Sequence, residues 1–132
     1  MNVFNDKSVR LLEKAIDVGS LRQRVIADNI ANINTPGYKK SSVVFESVLK
    51  KNLTDKIPLY GSDRRHFSGA NQLEDIRPTV VKENTTSMKA DGNNVDIEQE
   101  MVKLAVNTLN YNTGIQELNN RLKLMAFVIN GR

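Results

Sequence analysis

The chain has 132 residues, room for one modest domain, and with 39% hydrophobic residues, no Trp and a mean hydropathy of −0.42 it lacks the material for a thick globular core. The absence of Cys excludes disulfide frameworks, thiol chemistry and cysteine-based metal sites. A net charge of +4 and a pI near 9.4 would suit an acidic partner. The basic residues are scattered, however, and only Lys39-Lys40, Lys50-Lys51 and Arg64-Arg65 are adjacent, so they read as a solvated surface and not as a nucleic-acid patch.

Residues 8–33 carry the first helical pattern. Leu12, Ile16, Gly19, Gln23, Ile26, Ile30 and Ile33 alternate steps of four and three and fall on one seam, weakened in its middle by Gly19 and Gln23. Leu11, Val18, Leu21 and Val25 widen the apolar surface beyond a stripe, and that width needs a partner. The helix ends in Asn29-Ile-Ala-Asn-Ile-Asn-Thr-Pro-Gly-Tyr38, where Pro36 disfavours helical geometry at Thr35 and Pro36-Gly37 suits the centre of a type II turn. Asn29 and Asn32 lie one turn apart near this end. They suit a fraying C-terminus that needs its free carbonyls satisfied, or hydrogen bonds to neighbouring subunits.

The middle, residues 36–94, changes character. Ser42 to Lys51 fits a short helix, through Val44/Val48 and Phe45/Leu49, and its β-branched residues also permit a strand. Residues 54–78 are polar with few apolar anchors and read as a mobile loop. Thr79–Lys82 and Thr85–Lys89 suggest a small hairpin across Glu83-Asn84, and residues 90–94 turn the chain into the last helix.

That last helix has the most regular pattern. Ile97, Met101, Leu104, Thr108, Tyr111, Ile115, Leu118, Leu122, Met125 and Ile129 hold the four-three alternation without a slip, the mark of a coiled-coil seam. Gly114 falls off this seam and costs the helix about 1 kcal/mol relative to Ala. Asp96 is placed to cap the start, and Gly131 lies where the helix can stop.

The expected fold is mainly α: long N- and C-terminal helices paired as an antiparallel coiled-coil hairpin in a discontinuous inner domain (residues 1–35 and 95–132), with a small irregular or β middle region. The helices would span about 39 and 50 Å. Two helices cannot cover both broad apolar faces. Val102, Ala105, Val106 and Leu109 should remain exposed, which predicts self-association or packing into a larger helical assembly.

No residue pattern points to catalysis, a cofactor or a metal. His66 is the only histidine, which makes a zinc site or a histidine-activated nucleophile implausible. Asp91 to Glu100 superficially suggests a calcium loop, but its glycine stands second and Val102 occupies the twelfth position. Asp96 and Glu100 share a helix face, where capping and solvation explain them more simply than acid–base chemistry. No apolar run approaches the length of a membrane span. Met1 to Lys7 lacks the basic segment and apolar core of a cleavable signal.

Ser20-Leu-Arg-Gln-Arg-Val-Ile-Ala-Asp-Asn-Ile-Ala-Asn-Ile-Asn-Thr-Pro-Gly-Tyr-Lys39 resembles the N-terminal signature of the bacterial flagellar rod, hook and hook-associated axial proteins. Asp91-Gly-Asn-Asn-Val-Asp-Ile-Glu-Gln-Glu-Met101 looks like a segment of the short proximal-rod members, and of one of two sibling types in particular, since the other usually carries a Pro soon after its Asn-Val-Asp. The resemblance implies a structural subunit of the proximal rod, exported by the flagellar type III apparatus without a cleavable signal. Its implied partners are other copies, sibling rod proteins and the membrane-ring and export-gate base. It also implies that Asn29 and Asn32 bond across interfaces, that Thr35-Pro36-Gly37 directs the chain out of the shell, and that Tyr38 is a packing anchor. A soluble coiled-coil adaptor or export chaperone is the rival reading.

Overall fold

The structure, a computed structural model, describes residues 7–54, 76–84 and 89–131. Helix α1 spans Lys7–Ala31, strand β1 Ser41–Val44, helix α2 Glu46–Thr54, strand β2 Thr79–Lys82 and helix α3 Ile97–Asn130. The expected mainly helical fold with paired terminal helices is what forms. Residues 55–75, which carry most of the expected loop and His66, lie outside the described residues, as do residues 85–88.

α1 stops two residues earlier than its periodicity suggests. Asn32 and Ile33 tighten the final turn, their N–H groups donating to Asn29 and Ile30 carbonyls at 3.3 Å. Tyr38 N–H then donates to Thr35 carbonyl at 3.2 Å, closing a turn in which Gly37 adopts φ 71°. That is the left-handed geometry a type II turn requires at its third residue.

The segment that fitted both helix and strand divides into both. Ser41–Val44 pairs antiparallel with Thr79–Lys82, with Val43 opposite Val80, and α2 starts two residues after the strand. Thr79–Lys82 thus pairs with a distant strand that carries the buried Val43, and the partner expected for it across Glu83-Asn84 falls on residues 85–88, outside the described residues. The second apolar face of α1 finds its partner here. Val18 and Val25 pack with Val43, Phe45 and Ile76, flanked by Leu21, Val48 and Leu49. Each large side chain so buried is worth about 1.5–3 kcal/mol.

α3 is capped as its sequence suggests. Asp96 Oδ1 accepts from Glu98 and Gln99 N–H groups, and Gly131 at φ 64° closes the helix by donating to Phe127 carbonyl at 2.9 Å. It runs antiparallel to α1: Asn29 meets Glu100, Gly19 meets Asn107 and Tyr111, Ile16 meets Gly114, and Ser8 meets Arg121.

Candidate assembly site at the junction of the two motifs

Asn29, in the last full turn of α1, is 1% exposed and joins three parts of the chain. Its Nδ2 donates to Ser41 carbonyl at 2.8 Å and to Glu100 Oε2 at 2.9 Å. Its Oδ1 accepts from Ser41 N–H at 2.9 Å and from the Tyr38 hydroxyl at 3.4 Å. A side-chain amide is the one group that can give and take in this way in a single plane. The expectation that Asn29 bonds to neighbouring subunits is corrected, since its amide is consumed inside its own chain. Asn32 is half-buried and acts locally, donating to Asp28 carbonyl at 2.8 Å and accepting from Thr35 Oγ1 at 3.2 Å.

The second motif caps the first. Asn93 is fully buried, and its Nδ2 lies within 2.9–3.0 Å of the carbonyls of Asn32, Ile33 and Thr35 in the turn that follows α1, adding to the N–H groups of Thr35 and Tyr38 that Asn32 and Thr35 carbonyls already accept. Asn93 Oδ1 accepts from Val95 N–H at 2.8 Å, and Asp91 Oδ1 holds Asn93 N–H at 3.0 Å, so the loop preorganises the amide. Gly37 N–H donates to Asp91 carbonyl at 2.8 Å, and Lys40 N–H donates to Asn94 Oδ1 at 2.7 Å. Gly92 adopts φ 76°, a left-handed geometry that side chains rarely take, and a Cβ there would lie in ordinary contact with Gly37 Cα at 3.8 Å. Pro36 and Gly37 remain exposed on the turn, and Tyr38 is half-buried.

Glu100 corrects a further expectation. It is not solvated at the helix start but 1% exposed, held by Asn29 and by Lys103 Nζ at 2.7 Å. Burial, then the nearby Asp28 and Glu100 charges, push the Tyr38 hydroxyl above its ordinary pKa and keep it a neutral donor. At the start of α2, burial pushes the Glu46 carboxyl up. The Arg22 guanidinium at 2.8 Å and backbone N–H groups outweigh it, so Glu46 sits below the ordinary glutamate range.

Farther along, the face of α3 turned to α1 is displaced from the expected seam. Leu104, Tyr111, Ile115, Leu118 and Met125 are partly buried, as are Leu12, Ile16, Ile30 and Ile33 on α1, while Ile26 is buried. Ile97, Met101, Leu122 and Ile129 are 45–65% exposed, and Thr108 is exposed too. On that edge of the stripe Glu100, Asn107, Gly114 and Arg121 face α1 instead. Asn107, 4% exposed, donates to the Gly19 carbonyl at 2.9 Å. A Cβ at Gly19 would sit 3.1 Å from Tyr111 Cδ2, and one at Gly114 would sit 3.2 Å from Ile16 Cγ1. The glycines that weakened the sequence pattern are thus contact points where the helices approach closely. Hydropathy periodicity misses Asn93, Glu100 and Asn107 because they are polar. Asn93 and Glu100 stand inside the second motif, which was their only signal, and Asn107 had none.

Among the described residues every buried side-chain nitrogen and oxygen has a hydrogen-bond partner, and no group of His, Asp or Glu could hold a metal. No described helix is long and apolar enough to cross a membrane. The arrangement is a clasp that fixes the direction of the chain. α3 also presents Val102, Val106 and Leu109 at 64, 53 and 68% exposure, Val102 and Val106 lining a cleft shared with Arg22, Val25 and Ile26 of α1.

A sequence profile described as "Flagella basal body rod protein" matches residues 19–39, the end of α1 and its turn. The chain is 40% identical over 124 residues to a flagellar basal body rod protein FlgB of Borrelia hermsii, covering 88% of this chain and 91% of that one. It is 32% identical to the FlgB of Bacillus subtilis, covering 99% and 98%, and 30% identical to that of Escherichia coli, covering 94% of each. Relatives at this identity over nearly the whole length, together with a profile match on the clasp itself, place the chain in the FlgB family of flagellar basal body rod proteins.

Proposed function

We propose that the chain is a structural subunit of the proximal flagellar rod and works by packing, not by catalysis. The observation that carries this reading is the exposed apolar face of α3, on a hairpin whose open end is locked by Asn29 and Asn93. A rigid hairpin with one uncovered apolar side is suited to burial between neighbours. The terminal segments 1–35 and 95–132 form the inner shell and residues 36–94 the outer part. Thr35-Pro36-Gly37 steers the chain from one to the other. Torque passes through many shallow contacts with other copies and with sibling rod proteins, and the base of the assembly meets the membrane ring and export gate. The subunit sits in the basal body within the cell envelope, periplasmic where there are two membranes, and reaches it by type III export without cleavage of a signal.

Deleting the gene and imaging basal bodies by electron cryotomography tests this. Rings and export base without a rod, restored by the wild-type copy, are expected. Intact rods and normal swimming would overturn the reading in favour of a soluble coiled-coil adaptor. Leu118→Asp puts a charge into the partly buried face toward α1 and should abolish assembly while leaving synthesis intact.

A further inference from the structure

Two adjacent amides at the entry to α3 reach in different directions. Asn93 holds the turn after α1, and Asn94 enters the sheet. One residue beyond the paired strands, Lys40 and Glu83 stand opposite each other, and Glu83 N–H donates to Lys40 carbonyl at 2.9 Å. An antiparallel pair of this kind ordinarily returns a second bond, from Lys40 N–H to Glu83 carbonyl. Here the side chain of Asn94 stands in its place. Lys40 N–H donates to Asn94 Oδ1 at 2.7 Å, and Asn94 Nδ2 donates to Glu83 carbonyl at 2.8 Å. The Asn94 backbone is tied as well, its N–H donating to Tyr38 carbonyl at 3.3 Å, and a Lys40–Glu83 ion pair at 3.2 Å spans the same two residues.

β2 buries none of its four residues, and a pairing of two strands is marginally stable at best on its own. The entry to β2 is anchored by Ile76, 5% exposed in the core, whose carbonyl accepts from Lys14 Nζ at 2.9 Å. Its exit is anchored at Glu83 by Asn94. Asn94 in turn is placed by the loop that Asp91 and Asn93 organise and by α3, whose Glu100 is bonded to Asn29. We propose that Asn94 is a positioning residue that makes the order of β2 depend on docking of the α3 entry against the end of α1. When that entry docks, the amide completes the rung and fixes the exit of β2. When it leaves, the rung opens and the strand loosens from Glu83 backward. Coupling between two parts of a chain needs an element that has two arrangements and is biased from both sides, and the interrupted rung is one. The inference deepens the rod reading and rests on it for one consequence: a copy presents its outer part in a fixed direction only after its own α3 entry has docked.

Amide hydrogen exchange of the purified full chain, followed residue by residue by NMR, tests this in wild type, Asn94→Ala and Asn94→Asp. Glu83 N–H is the informative reporter, because its own acceptor, the Lys40 carbonyl, is untouched by either substitution. The side-chain amide of Asn107, which donates across to Gly19 carbonyl at 2.9 Å, reports the helix pair. In Asn94→Ala, exchange at Glu83 should rise by about tenfold or more while Asn107 stays within about twofold. Unchanged exchange at Glu83, or equal acceleration at both groups, would overturn the proposal. Asn94→Asp keeps the size and separates the two roles of the amide should Asn94→Ala fail to fold. Its carboxylate still accepts from Lys40 N–H but sets an oxygen against the Glu83 carbonyl, and once protonated it donates there again. Lys39, Lys40 and Lys89 stand around this position against Glu83, Asp91 and Asp96, so the clash with the carbonyl decides the sign. The introduced carboxyl is held above its ordinary value of about 3.9, and the contact is present below that value and lost as pH rises through the raised one. The excess exchange at Glu83 over wild type should therefore shrink as pH falls from neutral toward ~4. A ratio that stays constant over that range would overturn the proposal. Rods that persist after gene deletion sink the rod reading and the consequence for assembly, but not the coupling.

Discussion

Asn29→Leu removes the centre of the clasp while keeping a side chain of similar size. Two neutral hydrogen bonds to the Ser41 backbone and one to the Glu100 carboxylate are lost. At about 0.5–1.5 kcal/mol for each neutral bond and 1.5–3 for the charged one, the cost is about 2.5–6 kcal/mol. For a domain whose total stability is about 5–15 kcal/mol, that is a large share. Glu100 would be left as a carboxylate 1% exposed with Lys103 as its remaining side-chain partner. Urea unfolding of the purified chain at neutral pH, followed by far-UV circular dichroism, measures the loss as a shift in midpoint at unchanged slope. Glu100→Leu and the double variant complete a cycle. A coupling of about 1.5–3 kcal/mol between Asn29 and Glu100 is expected. A loss below about 1 kcal/mol from Asn29→Leu, or a coupling near zero, would refute the view that this amide joins the turn, the strand and α3.

Asn93→Ala strips the amide from three carbonyls at the end of α1 and should cost about 2–4 kcal/mol. Faster hydrogen exchange at Val95 N–H, which Asn93 Oδ1 accepts, would localise the damage. Gly37→Val meets no atom within 4 Å but must adopt φ 71°, so its cost is conformational, about 1–2 kcal/mol. Gly37→Asn should recover most of that in a thermal melt. The lowered Glu46 carboxyl contributes stability above its unfolded value near ~4.3 and loses it as pH falls through the lower folded value. Glu46→Gln should therefore flatten the acid limb of the pH–stability curve and leave stability unchanging with pH above it.

The order of elements was legible in the sequence because helix periodicity, caps and turn chemistry are local. Asp96 and Gly131 bound α3 where the capping residues stand, and Pro36-Gly37 ends the α1 region. The exposure of Val102, Val106 and Leu109 was legible too, since counting apolar faces against available partners needs no coordinates. The boundary between β1 and α2 was not, because Ser42 to Lys51 satisfies both periods.

What only the tertiary structure decided was which polar residues go inside. Glu100 reads as a capping carboxylate and Asn107 as an off-seam amide, yet both are buried because an amide of Asn29 and a carbonyl of Gly19 await them. Gly19 and Gly114 read as weak points, yet they admit Tyr111 and Ile16. A strand partner for Thr79–Lys82 came from Ser41–Val44, far away in the chain. Periodicity reports where a residue would partition between water and oil. Whether a buried polar group finds its complement, or a missing side chain makes room for a neighbour, depends on a second segment and is settled only when the two meet.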